Sequence, residues 1–280
     1  MTRRLIVNAD DFAETAAITQ GILDCHHAGT VRSASVIVNG GYWPEAAAII
    51  RETPGLDYGL HLNLTAGKPC VATQGLQPFL EPDGTFPTRT RMIGRILRHR
   101  ERLAPIEAEL IEQARRLAET GVPLTHVNFH DHLFFLPPLW RICLAIKDRF
   151  SIPFVRRPYQ SRTVRPPLSA QWLKRAFLNS WFRHRVVAGT FEVNYVDSLG
   201  TERLDEVYAA ILRNCGAVSE LVVHPGAADP NRREGFGELR VLEHDFLATD
   251  QLLGLAQREN VQLIGYRELL RESGNLREDR

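Results

Sequence analysis

The chain has 280 residues, and 34 Lys+Arg against 33 Asp+Glu leave a formal charge of 34 − 33 = +1. With 44% hydrophobic and 24% charged residues, this balance excludes a disordered chain, a collagen-like repeat and a strongly basic nucleic-acid binder, and it supplies material for a large core. No apolar run approaches the roughly 18 residues of a membrane span, and Asn8, Asp10 and Asp11 end the apolar start at Leu5 too soon for a signal peptide. Cys25, Cys70, Cys143 and Cys215 form no CxxC pair and no disulfide framework, so a reducing cytoplasm is expected.

Short apolar strands alternate with helical stretches along the chain. Leu5–Ala9 reads as a buried strand, Glu14–Ala28 as a helix, Ser33–Asn39 as a strand, Pro44–Glu52 as a helix and Tyr58–Thr65 as a strand. A Gly/Pro-rich stretch, 66–87, and the segment to Arg102 follow as an inserted loop and helix, with the question of a lid left open. Then come a helix at Ile106–Thr120 closed by Gly121, a strand at His126–His130, a helix at Leu139–Arg149, and strands at Pro153–Arg157 and Phe191–Asp197. Leu204–Asn214 is helical, Glu220–His224 a strand, Leu239–Arg258 helical and Val261–Tyr266 a last strand. About eight strands with intervening helices predict a parallel sheet with right-handed crossovers. The expected architecture is a single α/β domain over 1–280, a TIM-like (β/α) barrel, complete or distorted, with the insertion after its third strand. No GxGxxG or P-loop follows any strand.

In such a fold chemistry gathers at the C-terminal ends of the strands. The first ends Asn8-Ala9-Asp10-Asp11-Phe12, two adjacent carboxylates that either hold a cation or cap the next helix. Alternation puts Asn8 and Asp10 on one face and Asp11 on the other. In the third strand the same rule sets His61, Asn63 and Thr65 opposite Leu60, Leu62 and Leu64. A lone His there reads as a hydrogen-bonded core residue, but the next strand argues otherwise. His126, Asn128, His130 and His132 alternate onto one face, a cluster that an apolar core does not accommodate and a divalent metal does. His224, before Pro225 at the mouth of a very apolar strand, suits a general acid, or else satisfies a loop carbonyl.

One stretch stands apart: no acidic residue falls between Asp148 and Glu192, and within 171–187 Trp172, Phe177, Trp181 and Phe182 are interleaved with Lys and Arg. It reads as a barrel helix with a solvated basic face, or as a peripheral contact with anionic membrane. Arg156, at a strand end, is a candidate for substrate contact.

At these motifs the chain resembles the YdjC-like carbohydrate deacetylase family. The matching pieces are 5–12 (LIVNADDF), 59–69 (GLHLNLTAGKP), 123–130 (PLTHVNFH) and His224-Pro225, in family order and spanning nearly the whole chain. The resemblance implies a barrel that removes acetyl groups from N-acetylated sugars with one divalent metal, Mg²⁺ or Zn²⁺. Asp11, His61 and His130 would be ligands, Asp10 the general base and His224 the general acid, with His126, Asn128, His132, Asn63 and Arg156 in supporting or substrate contacts. Three departures stand out: Ala13 replaces a glycine, Asn128 stands where many members have Asp and points to the hopanoid-associated branch, and Phe134 replaces a histidine. The expected substrate is a soluble oligosaccharide or a glycolipid headgroup, and the expected location is the cytoplasm, with contact at the inner membrane and homodimerisation both left open. A metal-dependent phosphoesterase and a non-catalytic sugar-binding relic are the competing readings.

Overall fold

The computed structural model describes residues 2–71, 74–156, 190–192, 204–227 and 236–278. Among the described residues eight parallel strands form one sheet: β1 (Arg3–Phe12), β2 (Ser33–Val36), β3 (Asp57–Leu62), β4 (Leu124–Phe129), β5 (Phe154–Val155), β6 (Thr190–Glu192), β7 (Val218–Val223) and β8 (Val261–Ile264). Their order is β5-β4-β3-β2-β1-β7-β6, with β8 pairing β1 off this path. β7 runs along one edge of β1 from Arg4 to Ala9. The other edge is divided, its first half (Arg3–Ile6) taken by β8 and its second (Asn8–Phe12) by β2. This shared edge departs from the one-neighbour-per-edge order of a regular barrel, and among the described residues no ladder joins β5 to β6. The architecture is an α/β fold on a parallel sheet, compatible with the distorted form of the expected barrel.

The α-helices among the described residues are α1 (Ala16–His27), α2 (Trp43–Glu52), α3 (Arg89–Arg98), α4 (Ala104–Ala118), α5 (Pro137–Arg149), α6 (Leu204–Asn214), α7 (Phe236–Leu247), α8 (Gln251–Arg258) and α9 (Tyr266–Glu278). Thr15 caps α1 by accepting from the Ile18 amide at 3.2 Å. Prolines in the first turns of α2, α4 and α5 occupy positions where a missing N–H costs nothing.

Several expectations change. The single helix over 239–258 is two, broken after Leu247 at a turn where Thr249 donates to the Phe246 carbonyl. Between β3 and β4 the chain builds a short 3-10 helix at Gln74–Phe79, then α3, which buries only Met92 and Ile96, then α4. α9 begins at Tyr266, which the sequence pattern assigned to the last strand. Arg157, the basic aromatic stretch 171–187 and residues 193–197 lie outside the described residues. No helix among the described residues is long and apolar enough to cross a membrane.

Both faces of the sheet are covered, so every residue of β1 from Leu5 to Phe12 is buried, as parallel strands between helices require. Leu5, Val7 and Ala9 join the main core, whereas Ile6 packs with Phe154, Ile264, Tyr266 and Leu269 in a small separate layer. Beyond Ile6 on its own side of β1, alternation brings Asn8 and Asp10, so this layer floors a polar site.

Candidate functional site

The two aspartates meet because β1 is irregular. Ala9 pairs with Ala34 but Phe12 pairs with Val36, so β1 carries one extra residue at this point, and Asp11 takes a φ of 72°. Plain alternation would turn Asp11 away from Asp10. The bulge instead brings Asp11 Oδ1 to 3.3 Å and Asp10 Oδ2 to 3.9 Å from His61 Nε2. Ala13 shares the left-handed region at φ 72°, which accounts for the glycine that the resembling sequences place there.

His130 completes the cluster from just beyond β4. Its Nδ1 lies 2.8 Å from Asp11 Oδ1, and its ring meets His61 edge-on with centroids 5.3 Å apart. Potential ligand atoms of Asp11, His61 and His130 all lie within 4.8 Å of one another. Burial alone would lower the His130 pKa, but the Asp11 carboxylate reverses that and pushes it up to about 9. Burial alone would likewise raise both aspartates. Arg156 holds Asp10 far below the usual carboxylate range, and Arg240 with His130 does the same for Asp11.

Around this cluster Arg156 grips Asp10 with two nitrogens, at 2.5 and 2.9 Å, and donates its Nε to Glu220 at 2.9 Å. Asn8 donates to Asp10 at 2.9 Å and to Ser35 at 2.8 Å. Asn128 lies between His61, Ser35 and Arg156. With its oxygen toward Ser35 (2.8 Å) and Arg156 (3.0 and 3.1 Å), its amide donates to His61 Nδ1 at 2.5 Å; turned over, its oxygen accepts from that nitrogen instead. Arg240 reaches Asp11 Oδ2 from α7. The His224 backbone is also held from α7, and its imidazole is close enough to Asp10 to help keep that carboxyl ionised.

The formal charges test whether a cation belongs here. Among the described residues of the site, Asp10, Asp11, Glu220 and Glu243 are buried beside two guanidinium groups, Arg156 and Arg240, so with the imidazoles neutral, as ligands to a cation must be, −4 + 2 leaves −2. One divalent ion balances that, and two imidazoles with a carboxylate form a donor set that zinc and similar ions accept. The residues present fit the group.

Other sequence candidates take other parts. His126 is fully buried, paired with Ser35 and Thr125 at 3.0 and 2.9 Å and stacked on Tyr266 at 4.3 Å. Burial and Arg156 push its pKa well below the imidazole range, so it is a neutral structural residue in this site. Its ring fills the space a side chain at Gly59 would need, since a Cβ there would lie 2.3 Å from the imidazole. His132 does not continue the alternating face. β4 stops at Phe129, Asp131 and His132 turn left-handed in the 3-10 helix that follows, and the His132 ring packs edge-on to Phe134. Asn63 closes a loop instead, accepting from the Thr65 and Ala66 amides. Arg156, 2% exposed, is enclosed rather than open to substrate.

Glu220, Ser35, Arg240 and Glu243 were not anticipated. Glu220, the one charge in the strand 218–223, carried a readable signal of buried pairing. Arg240 and Glu243 occur in an ordinary amphipathic helix and carried none.

The family described as YdjC-like protein matches residues 4–258. A carbohydrate deacetylase of Geobacillus stearothermophilus is 29% identical over 273 residues, covering 96% of this chain and 98% of that protein. One from Brevibacillus brevis is 27% identical over 271 residues, covering 95% and 99%. A crystal structure from Enterococcus faecalis, provisionally assigned to cellobiose-phosphate cleavage, superposes with a TM-score of 0.79 at 23% identity, covering 96% of this chain and 99% of that one, a likeness of fold.

Proposed function

This chain belongs to the YdjC-like family, and from that premise we propose that it is a carbohydrate N-deacetylase that uses one divalent cation, Mg²⁺ or Zn²⁺, to hydrolyse the acetamide of an N-acetylated sugar. The relatives support the reaction, since those named as carbohydrate deacetylases align along nearly the full length of this chain. The observation that carries the proposal is the junction of Asp10 with the Asp11, His61 and His130 cluster in one buried site.

Asp11, His61 and His130 would hold the cation, which when bound polarises a carbonyl and makes water more acidic. Asp10 is the proton acceptor. Two bonds from Arg156 keep it ionised and fix its direction; they also make it a weak base, so it would take a proton only from water made more acidic at the site. His224 is the proton donor. An amine is a poor leaving group until protonated, and His224 delivers that proton to the sugar nitrogen as the C–N bond breaks, releasing acetate and the free amine. Asn128 orients the His61 ring through Nδ1: for Nε2 to hold the cation Nδ1 must carry the proton, and Asn128 then accepts it with its side-chain oxygen, 2.5 Å away.

Acetate release from N-acetylglucosamine, chitobiose and an N-acetylglucosaminyl lipid, with and without chelator, tests this reading. Chelator-sensitive release from at least one substrate is expected, with Asp10→Asn losing at least a hundredfold in kcat. Release untouched by chelator, or phosphate release from p-nitrophenyl phosphate with no acetate from any sugar, would overturn it.

A further inference from the structure

Arg240 and Glu243 lie one turn apart on α7, and both are buried, at 4% and 0% exposure. Burying an arginine and a glutamate is costly unless each is fully engaged, so their partners are informative. Arg240 donates from Nη2 to Asp11 Oδ2 and from Nη1 to the His224 carbonyl at 3.3 Å. Glu243 accepts the His224 amide at 2.6 Å, and the Arg240 carbonyl accepts the Gly226 amide at 3.2 Å. A single turn of helix thus holds both main-chain polar groups of His224, the residue two beyond it, and the carboxylate of Asp11.

Proline 225 makes this fastening matter. It has no N–H and cannot extend the β7 ladder, so beyond Val223 the sheet no longer dictates where the chain runs. The path of His224 is set from α7 instead. Opposite it, the loop is packed tightly against α1: a Cβ on Gly21 would lie 2.7 Å from the Gly226 Cα, and the Ala227 amide donates to the Ala17 carbonyl at 3.1 Å. The loop is held from two sides, and only the α7 side also reaches the acidic cluster.

We infer that Arg240 and Glu243 are positioning residues that tie the proton donor His224 to the metal-binding carboxylate Asp11, fixing the separation between the two halves of the reaction. The inference rests on the deacetylase reading for the roles of His224 and Asp11. Neither residue touches the reacting atoms, and each acts through the residue it holds. The planar guanidinium is essential here, because its two nitrogens span two acceptors at once and a lysine ammonium on a single flexible stem does not.

Arg240→Lys keeps the positive charge beside Asp11 and gives up the span. Its metal affinity, measured by equilibrium dialysis with Zn²⁺, is expected to stay within about threefold of the parent protein. kcat is expected to fall by roughly 10- to 100-fold with KM nearly unchanged, the scale of a small misplacement of a reacting group. Hydrogen exchange at the His224 amide is expected to accelerate in Glu243→Ala. In Arg240→Ala, millimolar guanidinium is expected to restore part of the lost kcat, which a purely structural role would not allow. Unchanged kcat in folded Arg240→Lys, or no guanidinium rescue together with unchanged His224 exchange, would overturn the inference. Should the parent protein release no acetate, the deacetylase reading fails by itself, and the His224 exchange rates still test the fastening.

Discussion

Replacing Arg156 with Met removes a cation of similar bulk from between two buried carboxylates. Its side chain is 1% exposed and makes three charge-assisted bonds, two to Asp10 and one to Glu220, whose side chains are 2% and 0% exposed. Removing one member of a buried ion pair costs about 3–5 kcal/mol, because the partner remains as an uncompensated buried charge. Here two partners are stranded, which places the expected loss near the top, at about 5 kcal/mol. At roughly 2–4 °C per kcal/mol for a chain of this size, Tm should fall by about 10–20 °C. The assay is urea and thermal unfolding of the chelator-treated parent and Arg156→Met, so that cation binding does not mask the difference. A second variant separates charge from packing: Arg156→Met combined with Asp10→Asn and Glu220→Gln leaves no stranded charge and should recover most of the stability. A loss below about 1 kcal/mol in the single variant, or a triple variant no more stable than the single one, would refute the reasoning.

Other perturbations test neighbouring links. Gly59→Ala forces a Cβ into the His126 ring and should cost about 1–3 kcal/mol by denaturant unfolding, with a smaller cost in a His126→Ala background. Asn128→Asp offers oxygens to both His61 Nδ1 and Arg156, so Zn²⁺ affinity by dialysis should rise roughly tenfold, while the added buried charge lowers the Tm of the metal-free protein. Zn²⁺ at about a hundred times its Kd should stabilise the parent by about 2.7 kcal/mol in thermal unfolding, and His61→Ala should lose that gain. Glu109, fully buried, accepts the Cys70 and Val71 amides at 2.9 and 3.0 Å, so Glu109→Ala should speed hydrogen exchange at those two amides and leave the β1 amides unchanged.

Local rules reached far into this fold because its elements have distinct periods. β1 and β7 were legible as apolar runs, and β3 and β4 as alternating strands whose inward polar set, continued to His130, includes His61 and Asn128. Boundaries were less legible. Ala248–Asp250 breaks a helix that the apolar spacing continues through, since the break is made by a turn and not by proline or glycine. α3 was expected as a helix of the inserted segment, but it is too polar, with Gly94 at its middle, for periodicity to fix its ends.

For the site, the residue types were readable and their directions were not. Two adjacent aspartates cannot both face inward on a regular strand, and only the extra residue that β1 carries against β2 turns Asp11 toward His61. Alternation carried past Phe129 put His132 on the metal face, whereas two left-handed residues send its ring toward Phe134. Arg156, Arg240 and Glu243 owe their roles to partners 146, 229 and 19 residues away, and no local pattern encodes a pairing at that distance. The sequence by itself determined which strands are buried, which of their faces is polar, and that carboxylates and imidazoles gather at their ends, because side-chain direction and hydrophobicity are local properties. The tertiary structure alone decided how those groups meet and which guanidinium balances which carboxylate, because burial joins charges from distant segments and makes each unpaired one too costly to keep.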